Sequence, residues 1–394
     1  MKSEWKTIRA ADFMEFNPRM NLKKGTIATK ISMDKLQPYT KKIPETEQAE
    51  FSGGTKFSNG DTIMARITPC LENGKTAFID CLNKDEVAFG STEFIVLRAK
   101  PGVSDAQFVY YLATSPEFRQ VAIKSMVGSS GRQRVQQPVL ENLELVVPEL
   151  PEQKRIGGFL AAIDDKIALN AKINDNLEQQ AATYFQELFI NNANPMWQIS
   201  TISDLGTVVG GSTPSKTKPE YYTNNGIAWI TPKDLSINKS KFISHGENDI
   251  TELGLKNSSA TVMPKGTVLF SSRAPIGYIA IASNEVTTNQ GFKSVIPYSE
   301  IGTAFVYFFL KHSLPVIESA ASGSTFKEIS GSAMKNIPAI IPDRNTLDQF
   351  NSFCAPIFAQ QKILEEQNHS LAMLRDSLLP KLMSGAIDIA SIQL

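Results

Sequence analysis

The chain has 394 residues, of which 42% are hydrophobic and 20% are charged, and its 40 basic side chains balance 40 acidic ones. This composition excludes a disordered chain, and the length is typical of two or three globular domains. No apolar run is long enough to cross a bilayer and the first residues show no signal-peptide core, which predicts a cytoplasmic protein without a membrane role.

Residues 1–150 are predicted to form an α+β domain. β-rich runs at residues 61–67, 76–80 and 94–98 alternate with Gly, Asn and Pro turns, and one helix is predicted near residues 106–112. Two loops carry hydrogen-bond donors, namely Arg66, Asn73 and Lys75 in the first loop, and Arg132, Gln133 and Arg134 in the second.

Residues 151–194 are predicted to form one long helix that begins at Pro151 and ends before the polar run 191–195. Side chains at alternating spacings of four and three form a heptad seam along it: Ile156, Leu160, Ile163, Ile167, Asn170, Asn174, Leu177, Ala181, Tyr184 and Leu188. Polar residues in such a seam lower its stability but fix its register, which suits a helix that acts as a ruler. Off the seam, the charged side chains are predicted to be exposed toward partners: Asp164, Asp165, Lys172 and Glu178.

Residues 195–342 repeat the layout of the first segment. Strands are predicted at residues 227–230, 267–271 and 278–282, with a helix near residues 304–310. The repeated pairs include Trp5 and Trp197, Asp12 and Asp204, Gly128-Ser129 and Gly323-Ser324, and Val147-Pro148 and Ile341-Pro342. The donors in this half are Lys216, Lys218, Arg273, Asn289, Gln290 and Lys327.

Residues 343–394 carry a second seam, displaced from the first by 194 positions: Phe350, Cys354, Ile357, Gln361, Leu364, Asn368, Leu371, Arg375, Leu378 and Leu382. A capping box is predicted at residues 346–349 and a kink at Pro356. Two helices with seams of matching length predict one intramolecular coiled coil; the alternative is that each helix packs only on its own domain. A repeat this long indicates a duplicated pair of segments with pseudo-two-fold symmetry.

Residue patterns for catalysis and metal binding are absent from the sequence. Three scattered cysteines (Cys70, Cys81 and Cys354) are predicted to be buried thiols, and no histidine lies at metal-ligand spacing from them. Pro69 stands where a phosphate-binding loop ending in Gly74-Lys75-Thr76 requires its first glycine. We therefore predict a chain that is not an enzyme and holds no cofactor.

Several segments resemble the specificity subunits of type I restriction-modification enzymes. Residues 209–215, 221–222 and 227–235 are similar to the opening of a target-recognition domain, and residues 271–277 and 323–330 resemble its later signatures. Residues 60–75 and 90–94 are similar to another subtype of this domain. Residues 151–156, with Ile163-Asp164 and Leu169-Asn170, resemble the central helical spacer of the family. The resemblance covers essentially the whole chain.

The resemblance implies target-recognition domains at residues 1–150 and 195–342, a central spacer at 151–194 and a C-terminal spacer at 343–394, with the two spacer helices antiparallel. Each domain is expected to read one half of a split, asymmetric site on double-stranded DNA. The helices are expected to dock two methyltransferase subunits, which motor-nuclease (restriction) subunits join. S-adenosylmethionine, ATP and Mg²⁺ are expected on those partners. Pro356 and Arg375 depart from an uninterrupted second seam.

The donors in the loops suit the reading of DNA. Arginine can bind guanine and Asn or Gln can bind adenine through paired hydrogen bonds, whereas lysine more often contacts phosphate. Arg66 and Arg273 are predicted to occupy comparable places after the central strand of each half. The main alternative is a coiled-coil scaffold without a DNA role; a self-contained methyltransferase or nuclease lacks the required motifs.

Overall fold

The computed structural model describes residues 5–323 and 327–392, and it divides into two compact units. Unit 1 contains Met1–Leu169 and Asn368–Leu394, and unit 2 contains Asn170–Gln367. The division falls within both long helices, so each unit combines a globular part with a section of each helix. The predicted division into four segments ending at residues 150, 194, 342 and 394 stays a prediction. The two units are defined by contacts between residues, and they do not test where each segment ends.

The strands of unit 1 are β1 (Lys6–Arg9), β2 (Met14–Phe16), β3 (Ile27–Ile31), β4 (Glu47–Glu50), β5 (Thr55–Phe57), β6 (Thr62–Ala65), β7 (Thr76–Phe78), β8 (Ala88–Gly90), β9 (Phe94–Ala99) and β10 (Glu144–Val147). They form two sheets, ordered β2-β9-β6-β7 and β4-β3-β8-β5, and the ribbon β1-β10. The helices are α1 (Ala10–Phe13), α2 (Ala106–Thr114), α3 (Pro116–Lys124), α4 (Gln137–Glu141) and the start of the long α5 (Leu150–Gln186).

The strands of unit 2 are β11 (Gln198–Thr201), β12 (Gly206–Gly210), β13 (Tyr222–Thr223), β14 (Ile227–Ile230), β15 (Phe242–Ile243), β16 (Asn248–Ile250), β17 (Val268–Ser272), β18 (Ile276–Ala282), β19 (Thr287–Thr288), β20 (Lys293–Pro297) and β21 (Pro338–Ile341). The sheets are ordered β12-β20-β17-β18-β15 and β13-β16-β14-β19, beside the ribbon β11-β21. The helices are α6 (Pro232–Ile237), α7 (Glu252–Lys256), α8 (Thr303–His312), α9 (Leu314–Ala320), α10 (Gly331–Lys335) and the long α11 (Arg344–Met383).

The predicted elements occur in both halves; β6 and β7 are shorter than predicted, β9 is one residue longer, and the first half has more helices than expected. The helix predicted near residues 106–112 is α2, but α1, α3 and α4 also form in that half. We missed α1 and α4 because helices of four or five residues are too short to show a hydrophobic period. The prediction of buried cysteines holds for Cys354 alone, since Cys81 is exposed and Cys70 is half-buried.

The ends of the long helices complete the core of each unit. In unit 1, Ile156 and Leu160 of α5 and Leu382 of α11 are buried with Phe108 and Tyr111 of α2. In unit 2 the buried side chains include Phe185 of α5, Phe189 of the π-helical turn Glu187–Asn191 that follows it, Phe305 of α8 and Phe350 of α11. Burial of a large apolar side chain contributes about 1.5–3 kcal/mol, so each helix is stabilised mainly by this packing.

The two long helices also pair with each other in antiparallel fashion. In unit 1, Asn368 Nδ2 donates to Ile167 O at 3.1 Å, and Arg375 Nη1 donates to Asp164 Oδ1 at 2.6 Å. In unit 2, Gln361 Nε2 donates to Asn174 O at 3.1 Å, and Asn170 Nδ2 to Gln367 Oε1 at 3.3 Å. The seam residues of the prediction are buried or half-buried: Ile163, Ile167, Asn170, Asn174, Leu177, Ile357, Leu364, Asn368 and Leu371.

Several predictions about these helices are wrong. Asp164 is 5% exposed and Glu178 lies in salt bridges with Lys241 and Lys311, so neither is a free outer charge; Asp165 and Lys172 are exposed as predicted. Helix α11 begins before the predicted capping box, because Asp343 and not Thr346 accepts the hydrogen bond of a first-turn N–H. Helix α11 is continuous through Pro356, and the kink predicted there stays a prediction. None of the described helices is long and apolar enough to span a membrane.

Candidate nucleic-acid interface

The two donor loops of unit 1 lie against each other. Thr68 N donates to Gln133 O at 3.0 Å, and Val135 N donates to Arg66 O at 2.9 Å. Arg134 forms antiparallel bridges with both Ile67 and Val127. The loop that follows β6 is thereby joined to the segment 127–135, so residues predicted from separate parts of the sequence form one surface.

Within the first loop, the structure turns two of the three predicted donors toward the protein. Arg66 is half-buried and its Nη2 donates to Val135 O at 3.1 Å. Lys75 Nζ donates to Met33 O at 2.9 Å. Asn73 is exposed. Arg66 and Lys75 therefore hold the shape of the loop, and Asn73 is the donor of this loop that faces solvent.

The second loop presents its donors outward. Arg132 and Arg134 are exposed and Gln133 is half-buried. Arg134 binds Glu93 through Nε and Nη2, with a shortest distance of 2.6 Å. This hydrogen bond, together with the positive charge of Arg134, lowers the pKa of the Glu93 carboxyl. Sequence reasoning missed Glu93 as a site residue, because its partner lies 41 positions away.

In unit 2 a groove brings four predicted donors together. Lys216, Arg273, Asn289 and Gln290 line it, beside Thr213, Trp229, Lys233, Glu247 and Asn248. The hydroxyl of Thr213 donates to the side-chain oxygen of Gln290. The indole of Trp229 donates to Ser212 O at 3.0 Å, which leaves its ring as a wall of the groove. The combination of amide, cationic and aromatic groups suits contacts with nucleic-acid bases and phosphates.

The remaining predicted lysines lie outside this set of lining residues. Lys218 is exposed with its Nζ 5.2 Å from the centre of the Tyr221 ring. Lys327 is exposed and precedes Glu328, which binds Arg273 at 3.4 Å. Part of the repeated signature, Ser324 to Phe326, lies outside the described residues.

The two halves share the architecture of the central loop, with one difference in register. Each loop follows a central strand and contains a cis proline, at Pro69 in unit 1 and at Pro275 in unit 2. Arg273 lies two positions before its proline, and the residue two positions before Pro69 is Ile67. Arg66 is therefore one position away from the true equivalent of Arg273, which explains why one arginine is turned inward and the other lines a groove.

Both units bury a lysine against their helix sections. Lys41 is 2% exposed, with its Nζ 5.6 Å from the centre of the Tyr111 ring, and Lys241 is 7% exposed over Phe358. Burial lowers the pKa of both lysines, against the effect of neighbouring carboxylates. Lys241 contacts the long helices directly through Glu178 and Gln361, whereas Lys41 is affected by the charges of Asp164 and Asp165 of α5. Among the described residues there is no group of three His, Cys, Asp or Glu side chains that could hold a metal ion.

Both halves match the family described as "Type I restriction modification DNA specificity domain", over residues 2–179 and 194–368. The chain belongs to this family. The MjaIX specificity subunit of Methanocaldococcus jannaschii is 43% identical over 162 residues, which span 41% of this chain and 37% of that protein. The HindI specificity subunit of Haemophilus influenzae is 24% identical over 407 residues, which span 84% of this chain and 87% of that protein.

A solved relative shares the fold. The S subunit of the type I restriction-modification system from M. genitalium superposes with a TM-score of 0.57 at 17% identity, covering 96% of each chain. Membership of the specificity-subunit family confirms the function predicted from the motifs, which is DNA sequence recognition without catalysis. Specificity subunits act in complexes with DNA and other subunits. Nothing in these relatives supports a scaffold without DNA specificity.

Proposed function

We propose that each half of this chain reads one part of a bipartite, asymmetric DNA site as the specificity subunit of a type I restriction-modification complex. The observation that carries this proposal is the duplicated central loop, which places polar donors at a solvent-facing surface in each unit. Arg132, Arg134 and Asn73 supply these donors in unit 1, and the groove around Arg273 supplies them in unit 2. Since the two sets differ in residue type, the two half-sites are expected to differ in sequence.

The partner subunits are proposed to cover exposed apolar side chains of the long helices. In unit 1, Leu169, Met373 and Leu374 are 52%, 61% and 40% exposed, and in unit 2 Ile173 and Ile363 are 38% and 47% exposed. Clustered exposed apolar side chains are typical of protein-binding surfaces. We propose two methyltransferase subunits as the partners on the helices, with motor-nuclease subunits joining them. S-adenosylmethionine, ATP and Mg²⁺ would then act on those subunits and not on this chain.

Co-expression tests this proposal. The chain alone is expected to bind DNA weakly or to be poorly soluble, and co-expressed methyltransferase subunits are expected to restore tight, sequence-dependent binding. Met373→Asp with Leu374→Asp should prevent co-purification of the partners, whereas Ser377→Asp, an exposed polar position of the same helix, should not. An isolated, monodisperse chain that binds one DNA sequence at nanomolar affinity would contradict the need for partners.

A further inference from the structure

Arg134 is held along one edge of its guanidinium group. Its Nε donates to both carboxylate oxygens of Glu93 at 3.0 Å, and its Nη2 donates to Oε1 at 2.6 Å. Glu93 lies in the turn between β8 and β9, where its N–H donates to Ser91 Oγ at 3.1 Å and its carbonyl accepts from Arg66 N at 2.9 Å. The backbone of Glu93 is therefore held by neighbouring residues, while its carboxylate binds the arginine.

The backbone of Arg134 is fixed as well. Arg134 N donates to Val127 O at 2.9 Å and Val127 N donates to Arg134 O at 3.0 Å, while Ile67 bridges Arg134 from the other side. Gly128, next to Val127, allows the close approach of the Arg132 carbonyl, because its φ is +142° and a Cβ there would lie 2.8 Å from Arg132 O. Hydrogen bonds thus hold both the main chain of Arg134, through Val127, and its side chain, through Glu93.

The opposite edge of the same guanidinium is open. Its Nη1 has no hydrogen-bond partner in the described part of the chain, and the side chain is 44% exposed. A guanidinium carries five N–H donors in a rigid fork, so an arginine bound at one edge still offers two parallel donors at the other. Among the base edges in the DNA major groove, guanine offers two acceptors, O6 and N7, at the matching separation.

The charge of Glu93 decides between a base and a phosphate as the acceptor. A phosphate binds a cation mainly through its charge, and the adjacent carboxylate cancels that of Arg134 and repels an anion. A neutral base edge is recognised by geometry, which the ion pair preserves. Arg132, two residues earlier and exposed, has no carboxylate partner within the described part of the chain and suits phosphate.

We propose that Arg134 binds a guanine in the half-site read by unit 1, and that Glu93 is the positioning residue that orients it. This inference rests on the proposed function. In unit 2 the bridge that corresponds to Ile67–Arg134 joins Arg273 to Glu328, so a glutamate stands at the position of Arg134 and the arginine lies on the other strand. The Arg273–Glu328 contact is a single one of 3.4 Å, so the inference is restricted to Arg134.

The test uses the full chain assembled with its co-expressed methyltransferase subunits and a randomised duplex library at constant salt. The wild-type complex should select a bipartite site with a guanine in one half. Arg134→Lys and Arg134→Ala should each lose the preference at that single position by about 5-fold to 150-fold. Replacing this guanine with 7-deazaguanine, which lacks N7, should weaken binding of the wild type but not of Arg134→Ala.

Glu93→Gln separates positioning from a merely structural role. It should reduce the preference for the same guanine while raising affinity for unrelated duplexes, because Arg134 regains its uncompensated charge. Arg132→Ala is the matched control and should weaken all duplexes about equally, with a smaller dependence on salt. A purely structural salt bridge would instead lower the thermal stability of Glu93→Gln without changing base preference, and that result would overturn the proposal.

Two further outcomes distinguish a failure of the proposed function from a failure of the guanine contact alone. A wild-type complex without any sequence preference would overturn the proposed function and this inference together. A bipartite preference that Arg134→Lys leaves intact, or a loss at a base pair without guanine, would overturn the inference alone. The inference alone would also be overturned if Arg134→Ala and Arg273→Ala removed base preference in the same half-site.

Discussion

At the scale of single residues, buried charges determine how each globular part packs on its helices. In unit 1, Asp164 accepts hydrogen bonds from the Tyr111 hydroxyl at 2.5 Å and from Arg375 at 2.6 Å. In unit 2, Lys241 binds Glu178 and donates to Gln361 at 2.5 Å. Removing one partner of a buried pair costs about 3–5 kcal/mol, so each network selects one packing arrangement.

Arg273 lies at the surface of unit 2 that is proposed to contact DNA. Its side chain is 37% exposed and lines the groove of unit 2. Arg273→Ala should lower specific binding by about 1–3 kcal/mol and disturb one half-site only, because unit 1 keeps all of its donors. Affinities of the assembled complex for duplexes altered in either half would measure this. Lys265→Ala, at an exposed position, is the control. Equal losses at both half-sites would show that the assignment is wrong.

Glu178 should make the stability of the folded chain depend on pH. Burial raises its pKa, but the salt bridges with Lys241 and Lys311 outweigh burial and hold the pKa below the ordinary value of 4.5. Since the pKa is lower in the folded chain, the stabilisation is present above about pH 4.5 and is lost as the pH falls through the folded value. Glu178→Gln should therefore be destabilised by about 3 kcal/mol at neutral pH.

The difference in unfolding midpoint between wild type and Glu178→Gln should shrink as the pH is lowered below 4.5. Thermal unfolding followed by circular dichroism across this range measures it. Glu285→Gln, on an exposed loop, serves as control and should follow the wild type. A difference that grows on acidification would mean that the salt bridges do not stabilise the charged form.

At the scale of elements, the long helices keep their form despite unfavourable residues. Helix α11 runs from Arg344 to Met383 through Pro356, although proline lacks an N–H and crowds the carbonyl four residues earlier. Burial of Phe350, Cys354 and Ile357 on either side of Pro356 offsets this cost. Arg375, which interrupts the apolar seam, is half-buried and paired with Asp164 and Asp376. These carboxylates raise the pKa of Arg375 although burial opposes the shift.

Pro356→Ala should stabilise the chain, because alanine restores one helical hydrogen bond at an exposed position. The expected gain is up to about 3 kcal/mol, which is the difference in helix propensity between the two residues. Pro356→Gly should recover about 1 kcal/mol less. Denaturant unfolding of the three chains measures the gain. A lower stability of Pro356→Ala would indicate that the backbone at this position is not a regular helix.

At the scale of the whole molecule, two recognition units are linked by both long helices. The antiparallel pairing determines where the linker can be lengthened without harm to either unit. Positions related by the internal repeat, such as Leu177 and Leu371, do not face each other in an antiparallel pair. The division between units lies after Leu169 in α5 and after Gln367 in α11, so insertions at these two points leave the described contacts within each unit intact.

Inserting one heptad at both points should lengthen the unread gap of the DNA site. Seven residues add about 10.5 Å of helix and keep the seam in phase, which corresponds to about three base pairs if the helices act as a ruler. Three pairs also rotate one half-site by about 100°, so a companion with three heptads, about nine pairs, restores most of the helical phase. Methylation mapping of the active variant should show unchanged half-sites with a longer separation.

A heptad inserted in α5 alone is the control and should abolish site-specific methylation, because the polar pairs of the seam lose their partners. An active variant with both insertions and the original separation would show that the helices do not set the distance.

The local pattern of the sequence was sufficient for the features that depend on neighbours along the chain. The heptad period predicts the seam, since residues three and four apart lie on the same face of a helix wherever that helix packs. The turn-rich segments between β runs predict the donor loops for the same reason. The repeat at 194 positions predicts two similar units, because similar segments fold alike.

Which donors face solvent and which charges are buried depends on contacts between distant parts of the chain. Glu93 and Arg134 are 41 positions apart, and Asp164 and Arg375 are 211 apart, so no local period reports their contacts. Arg66 and Arg273 look alike in sequence, yet a shift of one position relative to the cis proline turns the first toward Val135 O. Side chains of successive residues in a strand point to opposite faces, so a shift of one position reverses the direction of a side chain. Packing determines which of the two faces is exposed to water.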